Sequence, residues 1–249
     1  MNVQELSVII TGGGAGIGLA AARAFARSGA NVLITGRRAV KLDEIARSEP
    51  RIAFIEADAA NATDAKRTID RALDLWGRID VVVNNAGAGA PLPLAESTAE
   101  RVAAVYAVNT IGPTLLAAAA VPHLQSSRGT IINISSTLGS KAVAGFANYC
   151  ASKAAIEHLT RCWALELAPS GVRVNAVAAG PVETDFLRER MGLSEVEADA
   201  VREQERNAIP LGRRGVPEDV ARWIVALADR ESAWVTGQVL RIDGGFSLV

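Results

Sequence analysis

Leu6-Ser7-Val8-Ile9-Ile10, followed by Thr11-Gly12-Gly13-Gly14-Ala15-Gly16-Ile17-Gly18, is the segment with the strongest signal for a particular fold. An apolar, β-branched segment runs into a glycine-rich turn, and an alanine-rich helix, Leu19–Ser28, follows it. Glycines permit a tight turn and let the backbone approach a phosphate, while the helix N-terminus faces the pyrophosphate. The pattern predicts a dinucleotide site, with contacts from Gly12, Gly14, Gly16, Ile17 and Gly18.

The strand, turn and helix pattern repeats along the chain. Further strands are expected at Asn31–Thr35, Ile52–Glu56, Asp80–Asn84, Thr130–Ile134, Arg173–Val177 and Val239–Ile242. Further helices are expected at Lys41–Ser48, Asp64–Trp76, Ala99–Gln125 with a bend at Gly112-Pro113, Tyr149–Ala168 and Glu218–Ala228. Alternation of this kind indicates an α/β protein with a doubly wound parallel sheet between two layers of helices. Residues 1–249 are expected to form a single domain.

The segment from Pro181 to Pro210 breaks this rhythm, because its charged residues are interspersed with apolar ones. We expect a helical lid over the substrate, at about residues 185–210, inserted before the last helix and strand. A solvated surface helix is the alternative interpretation.

The bulk composition excludes several classes of protein. The chain has 249 residues, is 49% hydrophobic and carries a net charge of −1, so neither nucleic acid nor an anionic membrane is an expected partner. No segment approaches the roughly 20 apolar residues that span a bilayer. Cys150 and Cys162, about 18 Å apart if both lie on one helix, cannot form a disulfide. Free thiols favour a cytoplasmic location, and no residue cluster has the spacing of metal ligands.

Tyr149 and Lys153 lie four residues apart, on one face of a predicted helix, with Ser136 upstream. A free tyrosine has a pKa of about 10 and is a poor acid or base at neutral pH. A neighbouring ammonium group is expected to lower that pKa and make the pair usable in proton transfer. Together with a dinucleotide site, the pair predicts hydride transfer to or from a carbonyl.

The end of the second strand bears on the choice of cofactor. It reads Thr35-Gly36-Arg37-Arg38, without the carboxylate that would bind the ribose hydroxyls of NAD(H). Arg37 and Arg38 can clamp a 2′-phosphate, which favours NADP(H). NAD(H) stays possible, because both arginines could be ordinary surface charges and Ala15 offers no second phosphate contact.

These motifs resemble the short-chain dehydrogenase/reductase family in its single-domain, Rossmann-type form, including members similar to 3-oxoacyl-acyl-carrier-protein reductases. The resemblance covers nearly the whole chain. It rests on the Thr11–Gly18 loop, on Asp58-Ala59, on Asn84-Asn85-Ala86-Gly87, on the four residues Asn109, Ser136, Tyr149 and Lys153, and on Leu211–Glu218 and Thr236–Gly245 near the C-terminus.

The resemblance implies a role for each of these positions. Tyr149 is the general acid and base, Ser136 binds the substrate oxygen, Lys153 binds the nicotinamide ribose, and Asn109 holds a water. Cofactor contacts are further implied for Asp58, Ala59, Asn85, Ala86, Gly87, Gly180, Val182 and Thr184, as well as for Tyr149 and Lys153.

One motif departs from the family pattern after the sixth strand. The sequence Asn175-Ala176-Val177-Ala178-Ala179-Gly180-Pro181 has alanine where proline is usual, and proline two positions later. Because proline fixes φ and removes an N–H, we expect an altered substrate mouth with cofactor binding retained.

An apolar wall is expected around the reacting carbon, formed by Leu138, Val143, Phe146, Pro181 and Phe186, with Leu187 and Met191 nearby. This wall favours a ketone reductase that acts on an apolar or medium-sized substrate.

Three alternative functions remain. They are an NAD-dependent alcohol or polyol dehydrogenase, a 3-oxoacyl-thioester reductase and a non-catalytic nucleotide-binding regulator. Family members that act on acyl-carrier-protein thioesters tend to have basic residues just before the fifth and sixth strands, and at these two sites the chain has only Arg128. An enoyl reductase is disfavoured, since related enzymes of that type space the tyrosine and lysine more widely. The family's helix pairing implies a homotetramer.

Overall fold

The computed structural model describes residues 2–189 and 191–249. In this part of the chain a seven-stranded parallel sheet has the order β3-β2-β1-β4-β5-β6-β7. The strands are β1 (Ser7–Thr11), β2 (Asn31–Gly36), β3 (Ile52–Glu56), β4 (Val81–Asn84), β5 (Thr130–Ser136), β6 (Arg173–Ala179) and β7 (Val239–Ile242). The strand order reverses between β1 and β4, and such a switch point opens a crevice at the carboxyl ends of the strands.

Helices cover both faces of the sheet. They are α1 (Gly16–Arg27), α2 (Ala39–Ser48), α3 (Ala62–Trp76), α4 (Ala99–Tyr106), α5 (Gly112–Ser127), α6 (Ala147–Leu167), α7 (Phe186–Glu189), α8 (Glu195–Ala208) and α9 (Pro217–Ala228). The predicted doubly wound α/β fold is therefore confirmed, with element boundaries that differ from the predicted ones by a few residues.

The central strands are buried on both faces, which explains their continuous apolar runs. Val81 and Val83 of β4 belong to the apolar cluster that packs against α1 and α9. Val82, which points the opposite way, belongs to the cluster against α3 and α5. One strand thus contributes to both layers of the core, because successive side chains alternate between the faces of a sheet.

The long helix predicted from Ala99 is continuous to Ser127 but contains a π-helical turn, Ala107–Ile111, immediately before Gly112. The irregularity therefore lies just ahead of the predicted bend, and such turns are frequent at functional sites. Contrary to the expectation from the sequence, the described residues contain one helix, Ala99–Ser127, that is long and apolar enough to cross a membrane, although the core helix of a soluble protein can have the same length and composition. It contacts α3, α6 and the sheet, and the π turn carries Asn109 to the candidate site.

The predicted lid segment contains two helices, α7 and α8. Helix α8 begins at a capping box, in which Ser194 and Glu197 bond each other's backbone N–H groups. Both helices contribute residues to the cavity described below.

Candidate active site

A cavity of about 560 Å³ lies along the carboxyl ends of the strands, at the switch point of the sheet. It is bordered by the glycine loop, the ends of β2, β4, β5 and β6, the start of α6, and helices α7 and α8 of the predicted lid segment. Sequence-predicted residues on its wall are Gly12, Gly16, Ile17, Arg37, Asp58, Ala59, Asn85, Ala86, Gly87, Ser136, Leu138, Val143, Phe146, Tyr149, Lys153, Gly180, Pro181, Val182, Thr184 and Phe186. The predicted cofactor, catalytic and substrate residues therefore meet in one continuous space.

The glycine loop has the geometry of a phosphate cradle. Gly12 and Gly16 adopt positive φ angles of +65° and +52°, which other residues rarely adopt. A Cβ at Gly18 would lie 2.4 Å from Asn85 Nδ2, so this glycine permits close packing behind the loop. Gly14 and Gly18 do not line the cavity, and a Cβ at Gly14 would instead meet Leu42 at 3.0 Å.

Asn85 braces the loop from the end of β4. Its Nδ2 donates to the carbonyl of Thr11 at 2.8 Å, and to that of Gly12 at 3.2 Å. The Thr11 hydroxyl in turn accepts from the amides of Asn85 and Ala86, each at 3.0 Å. The loop is therefore held in shape by the protein itself, and the residues present fit a dinucleotide pyrophosphate.

The two arginines after β2 have different environments. Arg37 is exposed and lines the cavity, whereas Arg38 lies outside its wall. Arg38 Nη1 lies 3.0 Å from the carboxylate of Glu189 in the lid. Glu189 also borders the cavity, so a carboxylate from a distant part of the chain lies near the end of β2. No local sequence pattern could have revealed this residue.

Three of the four residues predicted to be catalytic come from β5 and α6. Ser136 ends β5, while Tyr149 and Lys153 lie on the first turns of α6 and are buried. Lys153 Nζ donates to the carbonyl of Ile134 at 2.8 Å and lies 5.8 Å from the centre of the Tyr149 ring. A Cβ at Gly89 would approach that ring to 2.8 Å, so a glycine is needed beside the tyrosine.

The predicted lowering of the Tyr149 pKa is wrong for the structure without a bound cofactor. Burial raises the pKa of Tyr149 to about 12, although its hydrogen bond with Ser136 acts in the opposite direction. Burial lowers the pKa of Lys153 to about 8, and the negative charge of Glu157 opposes that change. Loss of hydration is therefore the largest influence on the pKa of both groups, because both are buried.

Asn109 lies in the π turn and is buried. Its Oδ1 accepts from the amide of Ala88 at 2.9 Å, and its Nδ2 donates to the Ala88 carbonyl at 2.7 Å. The same Nδ2 donates to the hydroxyl of Ser152, on α6, at 2.9 Å. Asn109 thus ties the helix bend to the segment after β4 and to the catalytic helix, while its water-holding role stays a prediction.

Glu157 is a buried carboxylate that the sequence analysis missed. It lies one helical turn after Lys153, and its Oε1 accepts from the Ser135 hydroxyl at 2.8 Å. A glycine is required at position 139, where a Cβ would lie 2.5 Å from this oxygen. The spacing of four residues after Lys153 was the available sequence signal.

The lid end of the cavity combines apolar and charged residues. Leu187 and Met191 of the predicted apolar wall lie there, and Leu193 and Val201, which were not predicted, extend it. Arg214 and Glu205 border the same region and were not predicted.

Residues 2–189 and 191–249 contain no group of three or more histidine, cysteine, aspartate or glutamate side chains that could hold a metal ion. Cys150 is half-buried and Cys162 is exposed, and both thiols are free.

The likeness to known proteins agrees with this geometry. A family model described as "Enoyl-(Acyl carrier protein) reductase" matches residues 12–247. The chain is 38% identical to the 3-oxoacyl-[acyl-carrier-protein] reductase FabG of Thermotoga maritima, over 98% of this chain and 99% of that protein. It is 36% identical to L-fucose dehydrogenase of Bos taurus, over 97% of this chain and 89% of that protein. It also matches the crystal structure of 3-ketoacyl-(acyl-carrier-protein) reductase from Brucella melitensis complexed with NADH. The two structures match with a TM-score of 0.91 and 28% sequence identity. The match covers 99% of this chain and 100% of the Brucella chain.

The chain therefore belongs to the short-chain dehydrogenase/reductase family. It is an NAD(P)-dependent oxidoreductase of the kind that acts on CH–OH and C=O groups.

Proposed function

We propose that the protein is an NADP(H)-dependent carbonyl reductase that acts on an apolar or medium-sized ketone. One observation carries the proposal. Ser136, Tyr149 and Lys153 border the same cavity as the glycine loop and an apolar wall. A module that only bound nucleotide would need neither the triad nor that wall.

The nicotinamide, when bound, supplies the hydride for the carbonyl carbon. Tyr149 is protonated at neutral pH, since its pKa lies near 12, and donates its phenolic proton to the carbonyl oxygen. The Ser136 hydroxyl donates a hydrogen bond to the same oxygen and positions it. Lys153, in its ammonium form, stabilises the negative charge that Tyr149 acquires as it gives up its proton. The same groups serve the reverse oxidation.

Cofactor contacts are proposed for the loop residues Gly12, Gly14, Gly16, Ile17 and Gly18, and for Arg37, Arg38, Asp58, Ala59, Asn85, Ala86, Gly87, Gly180, Val182 and Thr184. Arg37 is the residue that supports NADP(H), because its guanidinium borders the cavity after β2 and can pair with a 2′-phosphate. NAD(H) is the second candidate, favoured by the Glu189 carboxylate in the same region and by the relative that was crystallised with NADH. Dissociation constants for NADPH and NADH, in the wild type and in Arg37→Ala, separate the two. We expect weaker NADPH binding and unchanged NADH binding in the variant, whereas unaltered NADPH binding would favour NAD(H).

The apolar residues Leu138, Val143, Phe146, Pro181 and Phe186 support the proposed substrate class. A 3-oxoacyl thioester is the second candidate, since the Thermotoga relative is named for that reaction. A sugar or polyol is the third, since another relative is named L-fucose dehydrogenase. Arg128 is exposed and could contact a carrier protein.

A homotetramer in the cytoplasm is also part of the proposal. Only a third of the apolar window in Ala99–Ser127 is buried within the chain, and Leu165 on α6 is 81% exposed. Apolar helix surfaces of this kind are stabilised when they pack against a second copy. Light scattering at micromolar concentration is expected to show a tetramer, and a monomer would contradict this assignment.

The test of function is the rate of NADPH consumption with a panel of carbonyl compounds. The panel contains β-ketoesters, diketones, quinones, aryl ketones, sugars and an acyl thioester. Turnover of apolar ketones by the wild type, and its loss in Tyr149→Phe, are the expected results. Tight NADPH binding without turnover of any compound would favour a narrow substrate or a binding role.

A further inference from the structure

Arg214 is a buried guanidinium to which the proposed chemistry gives no task. It lies between α8 and α9, borders the cavity, and is 5% exposed. A buried charge is costly unless it is paired and hydrogen-bonded, so its partners show what it holds in place.

The partners of Arg214 come from two separate segments. Its Nη1 lies 2.8 Å from the carboxylate of Glu183, and its Nε lies 2.9 Å from that of Glu205 on α8. Its Nη2 donates to the main-chain carbonyl of Val182 at 2.9 Å. One side chain thereby joins the loop after β6 to the lid.

The two carboxylates belong to a larger charged group. Arg202 and Arg206 of α8 lie 3.9 Å and 3.7 Å from the Glu183 carboxylate, so α8 also contributes positive charge around it. Burial raises the pKa of Glu205, and the charge of Arg214 opposes that rise. Glu183 and Glu205 therefore fix the direction in which the guanidinium points.

Val182 occupies a defined position beside the cavity. The amide of Glu183 donates to the Gly215 carbonyl at 2.8 Å, and the amide of Gly215 donates to the Pro181 carbonyl at 2.9 Å. These bonds form a parallel bridge between Val182 and Gly215 that leaves the N–H and C=O of Val182 itself outside the bridge. A carbonyl oxygen has two lone pairs, so Arg214 can hold one while the other stays available.

We propose that Arg214 is a positioning residue that orients the Val182 main chain toward the carboxamide of the bound nicotinamide. Arg214 does not touch the cofactor in this arrangement. Arg214 fixes the Val182 carbonyl, which accepts a hydrogen bond from the carboxamide NH₂ group. Val182 lies in the loop after β6, where Ala179 and Pro181 depart from the family's usual proline position. This inference rests on the proposed function, because it requires a nicotinamide against Val182.

The test compares two cofactors in a double-mutant cycle. One is NADPH, and the other is its reduced 3-acetylpyridine analogue, in which a methyl ketone replaces the carboxamide and no N–H donor is left. The proteins are the wild type, Arg214→Met and the control Arg213→Gln. Arg213 is the exposed neighbour, which pairs with Asp219 at 2.7 Å.

Arg214→Met is expected to weaken NADPH binding about fivefold, the scale of one net hydrogen bond. Binding of the acetylpyridine analogue is expected to weaken less than twofold, because the contact is already absent. Arg213→Gln is expected to leave both dissociation constants unchanged. Equal weakening of both cofactors by Arg214→Met would show a merely structural role and overturn the proposal.

Arg214→Lys covers the case in which the methionine variant folds poorly. It keeps a positive charge near the carboxylates, but a single ammonium lacks the fork that reaches two carboxylates and a carbonyl together. Arg214→Lys should also weaken NADPH binding more than binding of the acetylpyridine analogue. If this variant shows no such difference, the proposal is overturned as well. If the wild type binds neither cofactor, the proposed function itself fails, which is a distinguishable result.

Discussion

Gly112→Ala is predicted to lower both stability and cofactor affinity, although alanine is the better helix former. Gly112 has helical φ and ψ angles of −57° and −51°, so intrinsic propensity alone would favour alanine by about 1 kcal/mol. A Cβ there would, however, lie 1.9 Å from the carbonyl oxygen of Ala59, where contacts below 3.0 Å essentially never occur. The helix and the Ala59 loop must therefore separate by more than 1 Å.

Overpacking costs about 1–3 kcal/mol, and a clash with main-chain atoms is expected in the upper part of that range, about 2–3 kcal/mol, which exceeds the gain of about 1 kcal/mol from propensity. The net loss, about 1–2 kcal/mol, corresponds to a fall in Tm of about 2–8 °C for a domain of this size. Ala59 borders the cavity, so its displacement is also expected to weaken NADPH binding.

Calorimetry and a fluorescence titration with NADPH measure the two effects. Gly36→Ala is the matched control for stability, since its Cβ would lie 3.7 Å from the methyl groups of Leu42 and fits without movement. A Tm for Gly112→Ala equal to or above that of the wild type would refute the packing argument.

Three further predictions concern charge and backbone conformation. The kcat/KM for NADPH is expected to fall as pH rises through about 8, because Lys153 loses its proton there. In Glu157→Gln this fall should begin at lower pH, since the negative charge that favours the ammonium is gone; a pH profile that does not move would contradict the assignment. Glu189→Gln should tighten NADPH binding by severalfold in equilibrium titrations, because Arg38 is released from its ion pair and a carboxylate no longer repels the 2′-phosphate. Weaker NADPH binding would instead show that the Arg38–Glu189 ion pair helps to close the predicted lid. Gly77→Ala should cost about 1 kcal/mol in denaturant unfolding, because position 77 has a φ of +67° at the end of α3, and an unchanged midpoint would exclude strain there.

The fold could be predicted from the sequence because its signals are local. The apolar runs Leu6–Ile10 and Asp80–Asn84 predicted two of the strands, and β1 and β4 lie there and are buried. The glycine loop marked a turn through the conformational freedom of its glycines. The π turn at Ala107–Ile111 was not predictable, since the residue types in this segment also occur in ordinary α-helices.

The candidate site was predictable where its residues follow fixed spacings along one element. Tyr149 and Lys153 lie on one helix, and the cavity contains both. The partners of Arg38 and Arg214 were not predictable, because Glu189 is 151 positions away from Arg38 and Glu183 is 31 positions away from Arg214. The predicted direction of the Tyr149 pKa shift was also wrong, because burial in the folded chain raises that pKa.

Protonation by Tyr149 of a ketone that receives a hydride in this cavity can be tested with NADPH deuterated at the transferable C4 position, a ketone identified from the panel, and mass spectrometry of the product. We expect one deuterium on the carbinol carbon with the wild type, and none above background with Tyr149→Phe. Product without deuterium, or equal transfer by the Tyr149→Phe variant, would contradict it.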